Sequence, residues 1–121
     1  MTVAEVTHPI DGQVVLLAGA KASVTLERLS VLLERVQRHL EPRIDDYDRL
    51  YECVYARDGV RAFLVEPGHW ADIGQKLDLN DRETAAIKRT HAEQLRRLGK
   101  DRDRTEEFET ALEIREAVVL A

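Results

Sequence analysis

The side chains of this sequence with the strongest reactive or metal-binding chemistry are four histidines and one cysteine. The histidines are His8, His39, His69 and His91, and none of them belongs to an HExxH motif or to another paired spacing that binds zinc. A single cysteine, Cys53, cannot form an intrachain disulfide or a cysteine-rich zinc site. We therefore predict that the protein has no metal site and binds no cofactor.

Three clustered aspartates and the single cysteine are the other side chains that could bind a metal ion or react. Asp45, Asp46 and Asp48 could attract a hard cation, but neighbouring residues point in different directions on a helix and no calcium-loop pattern is present. A solvated helix face is the favoured interpretation. Cys53 could be a nucleophile only in an exposed, electropositive environment. Its Val and Tyr neighbours indicate a small buried residue instead.

Catalytic motifs are missing from the sequence. The six glycines are scattered, so no glycine-rich loop could bind phosphate, and Ser23 and Ser30 lack the context of a nucleophile elbow. His69 stands beside Trp70 in a Pro-Gly loop and could line a pocket, although packing at a helix start explains it equally well. An enzyme would need a pocket that joins these two residues to carboxylates. We predict that the protein is not an enzyme.

Composition sets the class of protein. The 121 residues are 44% hydrophobic and 34% charged, which is typical of one domain with a real core. No stretch approaches the roughly 18 consecutive apolar residues of a membrane helix, and the N-terminus lacks the pattern of a signal peptide. We expect a cytoplasmic protein without membrane contact. A flexible N-terminal arm over residues 1–10 should precede a single helical domain over residues 11–121.

Apolar residues recur at helical spacing and predict a mainly α fold with five to six helices and one short β-hairpin. Asp11 and Thr25 are candidate N-caps of the first two helices. The second helix carries an apolar stripe that continues in phase beyond Pro42, which either starts a new helix or kinks this one. The stripe could pack inside the protomer or against a second copy. It contains Leu26, Leu29, Leu33, Val36, Leu40, Ile44, Tyr47, Tyr51 and Val54.

The dipeptide Asp58-Gly59 signals a two-residue hairpin turn between residues 51–57 and 60–65. Residues 51–57 also complete the helical stripe, so helix and strand both stay open there. If they form a helix, the strand that follows the turn lacks a partner, and a second chain could supply one. This is a first indication of a homodimer. Its candidate interface consists of Leu29, Leu33, Val36, Leu40, Phe63 and Val65.

The remaining sequence predicts helices with recognisable ends. A helical pattern begins at Trp70, and Asn80 and Glu83 have the spacing of a capping box at the start of the next helix. That helix runs to Leu98, where Gly99 would end it. Thr105 is predicted to cap the last helix. The apolar face of this last helix contains Phe108, Ala111, Leu112, Val118 and Val119.

Residues 71–98 resemble the helix-turn-helix superfamily of DNA-binding proteins. The small residue of this motif lets two helices cross closely, and its turn residue must tolerate a left-handed conformation. The matching pattern here is Ile73, Gly74, Leu77, Asp78, Leu79 and Asn80. The resemblance implies that the helix from Asp81 would enter the major groove of DNA. Its contacts would be Arg82, Thr84, Ala85 and Lys88 to bases and Arg89 to phosphates.

Charge is unevenly distributed along the chain. The formal net charge is −5, which argues against tight non-specific binding to DNA. Residues 81–100 carry six basic and three acidic groups, or +3, whereas residues 101–121 carry three basic and seven acidic groups, or −4. Such asymmetry can mark a surface for a charged partner, or it can reflect two neighbouring helices that attract each other.

The chain also resembles small uncharacterised haloarchaeal proteins. The resemblance rests on fourteen arginines against four lysines and on residues 63–70 and 107–116, which read Phe-Leu-Val-Glu-Pro-Gly-His-Trp and Glu-Phe-Glu-Thr-Ala-Leu-Glu-Ile-Arg-Glu. It implies a salt-rich cytoplasm, where mild acidity is expected even of DNA-binding proteins. It implies no activity.

Two functional hypotheses follow from these patterns. The first is a non-catalytic helical module for protein interaction or assembly, which either self-associates or is a subunit of a larger complex. The long apolar stripe and the missing catalytic motifs favour it. The alternative is a helix-turn-helix transcriptional regulator that binds DNA through residues 71–98.

Overall fold

The computed structural model of the protein describes residues 8–121. This range contains six α-helices, one 3₁₀ turn (Glu41–Arg43) and three β-strands. The helices are α1 (Gly12–Ala22), α2 (Leu26–Leu40), α3 (Ile44–Leu50), α4 (His69–Lys76), α5 (Asp81–Asp101) and α6 (Thr105–Leu112). The strands are β1 (Glu52–Arg57), β2 (Val60–Val65) and β3 (Glu116–Leu120). The prediction of a mainly helical fold with a β-hairpin is confirmed, and the third strand is an addition to it.

Most of the predicted N-terminal arm lies outside the described residues. Its last residue, Ile10, is buried in the core, so the packed part of the chain begins before the predicted boundary at residue 11. Asp11 occupies the N-cap position of α1 but makes no capping bond with its side chain. Its carboxylate lies 3.1 Å from Arg97 of α5 instead. This contact ties the start of α1 to the middle of the fold.

The apolar stripe of α2 packs inside the protomer except at its first residue, Leu26, which is exposed. Thr25 caps the helix, because its hydroxyl accepts the backbone N–H of Arg28 at 3.1 Å. The inward side chains Leu29, Leu33, Val36 and Leu40 are all at most 2% exposed. Beyond α2, Pro42 lies in the 3₁₀ turn that leads into α3, so it ends one helix and starts another.

The three strands form one antiparallel sheet in the order β1-β2-β3. Asp58 and Gly59 have φ values of 53° and 79°, as a type I′ hairpin turn requires. Residues 52–57 are therefore a strand and not the end of the helical stripe. The central strand β2 receives its second partner, β3, from its own chain. The need for a strand from a second chain, which the sequence suggested, does not arise.

Strand β3 replaces the end of the predicted last helix. Thr105 is the first residue of α6 and not its cap, because Arg104 holds the N-cap position and makes no capping bond with its side chain. Helix α6 ends at Leu112, and Val118 and Val119 lie in β3, where both are fully buried. Paired β-branched residues fit a buried strand better than a helix, because a helix restricts their side-chain rotamers more and a strand packs their branched side chains well. The prediction that these valines form a helical face is wrong.

Helix α5 runs through the middle of the fold and contacts α1, α4, α6 and β3. Gly99 does not end this helix, which continues to Asp101. A Cβ atom at Gly99 would lie 2.6 Å from the ring of Phe108, so the glycine allows α6 to pack against α5. The buried side of α5 meets β3, where the backbone N–H of Val119 donates to His91 Nδ1 at 3.0 Å.

Candidate functional site

A groove of about 500 Å³ lies over the exposed side of α5. The end of α1 forms one wall, and residues 112–117 form the other. Six basic side chains line it, namely Lys21, Arg82, Lys88, Arg89, Arg96 and Arg115. The other lining residues are Ala22, Ala85, Ala92, Leu112, Glu116 and Ala117. We call this surface the basic groove.

The helical repeat of α5 places these residues on one side. Arg82, Ala85, Arg89, Ala92 and Arg96 follow each other at steps of three or four residues, which is the spacing of a single helix face. The small alanines form a low apolar floor between the arginines. Along α5, the floor of the groove therefore alternates between small apolar side chains and cationic side chains.

Ion pairs neutralise only part of the basic groove. Lys88 lies 3.6 Å from Glu116, Arg96 lies 3.0 Å from Glu109, and Arg115 lies 3.1 Å from Glu52. Within residues 8–121, no acidic group forms a salt bridge with the remaining three cations, which are Lys21, Arg82 and Arg89. These three give the groove an uncompensated positive charge.

The acid of the groove, Glu116, has a structural role. Its side chain is buried, and its two oxygens accept the backbone N–H groups of Gly68 and Trp70, each at 2.9 Å. These donors belong to the first turn of α4, whose free N–H groups favour a negative charge. Glu116 therefore caps α4 from the far end of the chain.

Helices α4 and α5 are joined by the short turn of residues 77–80 and cross closely at Gly74. Asp78 in the turn has a φ of 58°, in the left-handed region. At the crossing, a Cβ atom on Gly74 would overlap Thr84 Oγ1 and lie 3.0 Å from Thr84 Cγ2. Asn80 and Glu83 form the predicted capping box, with bonds of 2.8 and 3.1 Å. The backbone N–H of Asn80 lowers the pKa of Glu83, because it donates to the ionised carboxylate.

Four of the five predicted DNA contacts share the basic groove. They are Arg82, Ala85, Lys88 and Arg89. Thr84 is the exception, because its side chain lies against Gly74 at the helix crossing and its hydroxyl donates to the Asn80 carbonyl at 3.0 Å. The sequence missed the contributions of Lys21 and Arg115, since nothing in the chain order shows that α1 and the segment before β3 flank α5.

The six residues of the predicted protein interface are all buried within the protomer. Leu29, Leu33, Val36 and Leu40 belong to the core, and Phe63 and Val65 lie in the central strand at 0% and 1% exposure. The stripe faces inward because the chain supplies its own covering layer. These residues therefore offer no surface to a partner in this fold. The large apolar side chains that are exposed are Leu16, Leu17, Leu26, Val31, Leu50 and Ile114.

The chain also matches a known family model. Residues 8–121 match the model described as Domain of unknown function (DUF8048). The chain belongs to this family. The matched range includes the basic groove and every other residue described above, and the printed family description names no activity. No curated protein and no solved structure matches the chain significantly.

A second cavity of the DUF8048 domain, of about 230 Å³, lies between α3 and α4. Tyr47 and His69 line it and share a hydrogen bond of 2.5 Å between the hydroxyl and Nε2. Burial raises the pKa of Tyr47 and lowers the pKa of His69, so both groups are neutral at pH 7. The pocket joins His69 to the carboxylates Asp46 and Asp72. Trp70 is not part of it, because this side chain is buried in the core.

The potential metal ligands of the DUF8048 domain do not cluster in its described part. Within residues 8–121, no three His, Cys, Asp or Glu side chains form a group that could hold a metal ion. Cys53 is exposed on the edge strand β1, which corrects the prediction of a small buried residue. Its position follows from strand alternation, since the neighbouring Val54 points into the core. None of the helices in the described range has the length and hydropathy to span a membrane.

Proposed function

We propose that the protein is a non-catalytic interaction module whose basic groove binds an acidic segment of a partner protein. One observation carries the proposal. Six cations line a single groove against one acid in a chain whose net charge is −5, and three of these cations have no acidic partner within residues 8–121. Charge of this kind contributes little to folding, whereas it steers and orients an oppositely charged partner.

The shape of the groove favours a polypeptide segment. Its volume of about 500 Å³ is sufficient for several side chains. The small apolar floor, formed by Ala85 and Ala92 beside Leu112 of the wall, fits the apolar side of an amphipathic helix or strand. Carboxylates on the flanks of such a segment would reach Arg82 and Arg89, and an arginine can bind a carboxylate with two parallel hydrogen bonds.

Self-association is one form of this function. Residues 101–113 carry six acidic and two basic groups, so the chain itself contains an acidic segment. This segment of one copy has the charge that the basic groove of a second copy requires. The mass in solution distinguishes a homodimer from a module that binds a different protein.

DNA binding is the second candidate. The observation that favours it is the grouping of Arg82, Ala85, Lys88 and Arg89 beside a corner with a left-handed turn at Asp78. Two features count against duplex DNA. Helix α5 lies on the floor of a groove, whereas a recognition helix must project into the major groove. In addition, Asp81 and Glu83 stand at the start of α5 and would approach phosphates.

The two functions are separated by fluorescence anisotropy with two probes. One is a labelled amphipathic helical peptide with glutamates on its polar face, and the other is a labelled DNA duplex. Both are titrated across a salt series, with light scattering on the same samples. The proposal predicts saturable, salt-sensitive binding of the peptide, weakened about tenfold or more by Arg82→Ala with Arg89→Ala.

The matched control is Arg38→Ala with Arg57→Ala, which removes two exposed arginines outside the groove. It should leave peptide binding unchanged. Absence of peptide binding at low salt would overturn the proposal. Salt-sensitive binding of the duplex alone, lost in Lys88→Ala with Arg89→Ala while the fold survives, would establish the second candidate instead.

A further inference from the structure

We propose that the cavity between α3 and α4 binds a small aromatic carboxylate. This cavity is separate from the basic groove and shares no lining residue with it. Its ligand preference follows from three features on facing helices, which are a ring-lined wall, a fixed polar pair and a pair of uncompensated cations.

Two helix faces form the cavity. Arg43, Asp46, Tyr47 and Leu50 occupy positions i, i+3, i+4 and i+7 along the 3₁₀ turn and α3, which is the spacing of one helix face. His69, Asp72, Ile73 and Lys76 repeat the same spacing on α4. Each face therefore directs a cation, an acid, an aromatic or imidazole ring and an apolar side chain toward the space between the helices.

Aromatic rings form one wall. The ring centroids of Tyr47 and Tyr51 lie 4.9 Å apart, and the ring of His69 stands nearly perpendicular to that of Tyr51 at 5.3 Å. The bond between Tyr47 and His69 fixes two of these rings. Such a wall favours a flat apolar body in the ligand, since offset and edge-on ring contacts are favourable at these distances.

The charges favour an anion. Asp46 forms an ion pair with Arg49 outside the cavity, so its charge is compensated. Asp72 is the second carboxylate of the lining and forms no salt bridge within residues 8–121. Arg43 and Lys76 also have no salt-bridge partner in that range, so these two cations exceed Asp72 by one positive charge. His39 lies beside both cations. Burial lowers the pKa of His39, and the positive charges of Arg43 and Lys76 lower it further.

A free hydroxyl completes the polar part of the site. The hydroxyl of Tyr51 makes no hydrogen bond to any group in the described part of the chain, although its ring is partly buried and lines the cavity. A carboxylate in the cavity could accept a bond from this hydroxyl while Arg43 and Lys76 balance its charge. The volume of about 230 Å³ lies below the roughly 300–1,000 Å³ of pockets for drug-sized ligands, which limits the ligand to a single ring.

The test uses the full chain and benzoate as the probe, followed by two-dimensional amide NMR. Acetate supplies the carboxylate without the ring, and benzyl alcohol supplies the ring without the charge. We expect saturable shifts of α3 and α4 amides with benzoate. Acetate and benzyl alcohol should each bind at least about tenfold more weakly than benzoate.

The variant Arg43→Ala with Lys76→Ala should weaken benzoate binding about tenfold or more. Its matched control, Arg57→Ala with Lys100→Ala, removes one arginine and one lysine that do not line this cavity. Tyr51→Phe keeps the ring and should weaken binding about threefold. Arg82→Ala with Arg89→Ala, which tests the basic groove, should leave benzoate binding unchanged.

Three results would overturn the proposal. They are the absence of saturable shifts with benzoate, equal binding of acetate or benzyl alcohol, and unchanged binding in the Arg43 and Lys76 variant. Failure here leaves the proposed role of the basic groove untouched, because the two sites use different residues and different probes.

Discussion

The two sides of α5 differ in whether their polar side chains have partners. On its buried side, the Thr90 hydroxyl donates to the Ala86 carbonyl at 2.6 Å, and His91 and Gln94 accept the backbone N–H groups of Val119 and Asp11 at 3.0 Å. No buried side-chain nitrogen or oxygen within residues 8–121 lacks a partner. On its groove side, Arg82 and Arg89 carry full charges without an acidic partner in that range. Helix α5 thus has hydrogen-bonded polar groups on its buried side and cations without salt bridges on its groove side.

This difference separates residues that determine stability from residues available for binding. A buried donor or acceptor without a partner costs about 1–3 kcal/mol, so pairing on the inner side is required for folding. An exposed cation remains hydrated and costs little. Glu116 connects the two sides, because it caps α4 inside the protein and lies 3.6 Å from Lys88 in the groove. Substitutions on the two sides should therefore have different consequences.

The largest effect is expected for Glu116→Ala. The substitution leaves the backbone N–H groups of Gly68 and Trp70 without their acceptor at the buried start of α4. We expect the free energy of unfolding to fall by about 3 kcal/mol, measured by urea denaturation. Glu113→Ala is the control, since this exposed glutamate has no ion pair within residues 8–121. A loss below about 1 kcal/mol for Glu116→Ala would show that the cap is not required.

The next effect concerns the corner between α4 and α5. In Gly74→Ala the new methyl group would meet the side chain of Thr84, so we expect a loss of about 2 kcal/mol from overpacking. Adding Thr84→Ala should recover part of this loss, because it removes the atoms that the methyl meets. Gly12→Ala is the control, as nothing lies within 4 Å of its Cβ position. Equal losses in the single and double variants would contradict the close crossing.

The fold's local signals could be predicted from the sequence. Caps and turns depend on residues only a few positions apart, and the predictions at Thr25, at Asn80 with Glu83 and at Asp58-Gly59 are confirmed. The same local reasoning is wrong at Asp11, Gly99 and Thr105, because neighbouring segments there take up the side chain or shift the helix end. The left-handed turn residue Asp78 belongs to the same class. Pro42 also acts locally, since its ring prevents the second helix from continuing.

Contacts between distant segments could not be predicted in this way. Glu116 caps a helix that begins 47 residues earlier, and no pattern near Glu116 indicates this role. Val118 and Val119 carry no turn signal before them that marks a strand. The sequence predicts their partner β2 as a strand, but it offers only residues 51–57 or a second chain as neighbours of that strand and not the end of the same chain. The groove has the same origin, because its walls come from α1 and from the segment before β3.

A third prediction concerns pH and the buried side of α5. Burial lowers the pKa of His91 from 6.5 to about 3. In the unfolded chain, His91 therefore binds a proton as the pH falls below 6.5, whereas in the folded protein it stays neutral down to about pH 3. The free energy of unfolding therefore falls as the pH drops below 6.5. The limiting slope is about 1.4 kcal/mol per pH unit for this histidine.

Urea denaturation between pH 7 and pH 5 measures this slope before most carboxylates titrate. His91→Gln should lower stability at pH 7 by about 1 kcal/mol, because the imidazole packs 4.5 Å from the ring of Trp70. It should also reduce the number of protons taken up on unfolding by up to one, which lowers the slope of stability against pH. His39→Gln is the comparison: burial and the charges of Arg43 and Lys76 also lower the pKa of this histidine, but it is only partly buried, so its loss should reduce the slope less than the loss of His91. An unchanged slope in His91→Gln would show that His91 does not carry the acid sensitivity.

The smallest effect on stability is expected on the groove side of α5. Arg82→Ala with Arg89→Ala removes two exposed cations without an acidic partner in residues 8–121, so the free energy of unfolding should change by less than about 0.5 kcal/mol. Arg96→Ala is the informative comparison, because Arg96 lies in the same groove but pairs with Glu93 and Glu109. It should lose about 0.5–1 kcal/mol. A large loss in the double variant would mean that the open charges serve the fold, and the contrast between the two sides of the helix would then disappear.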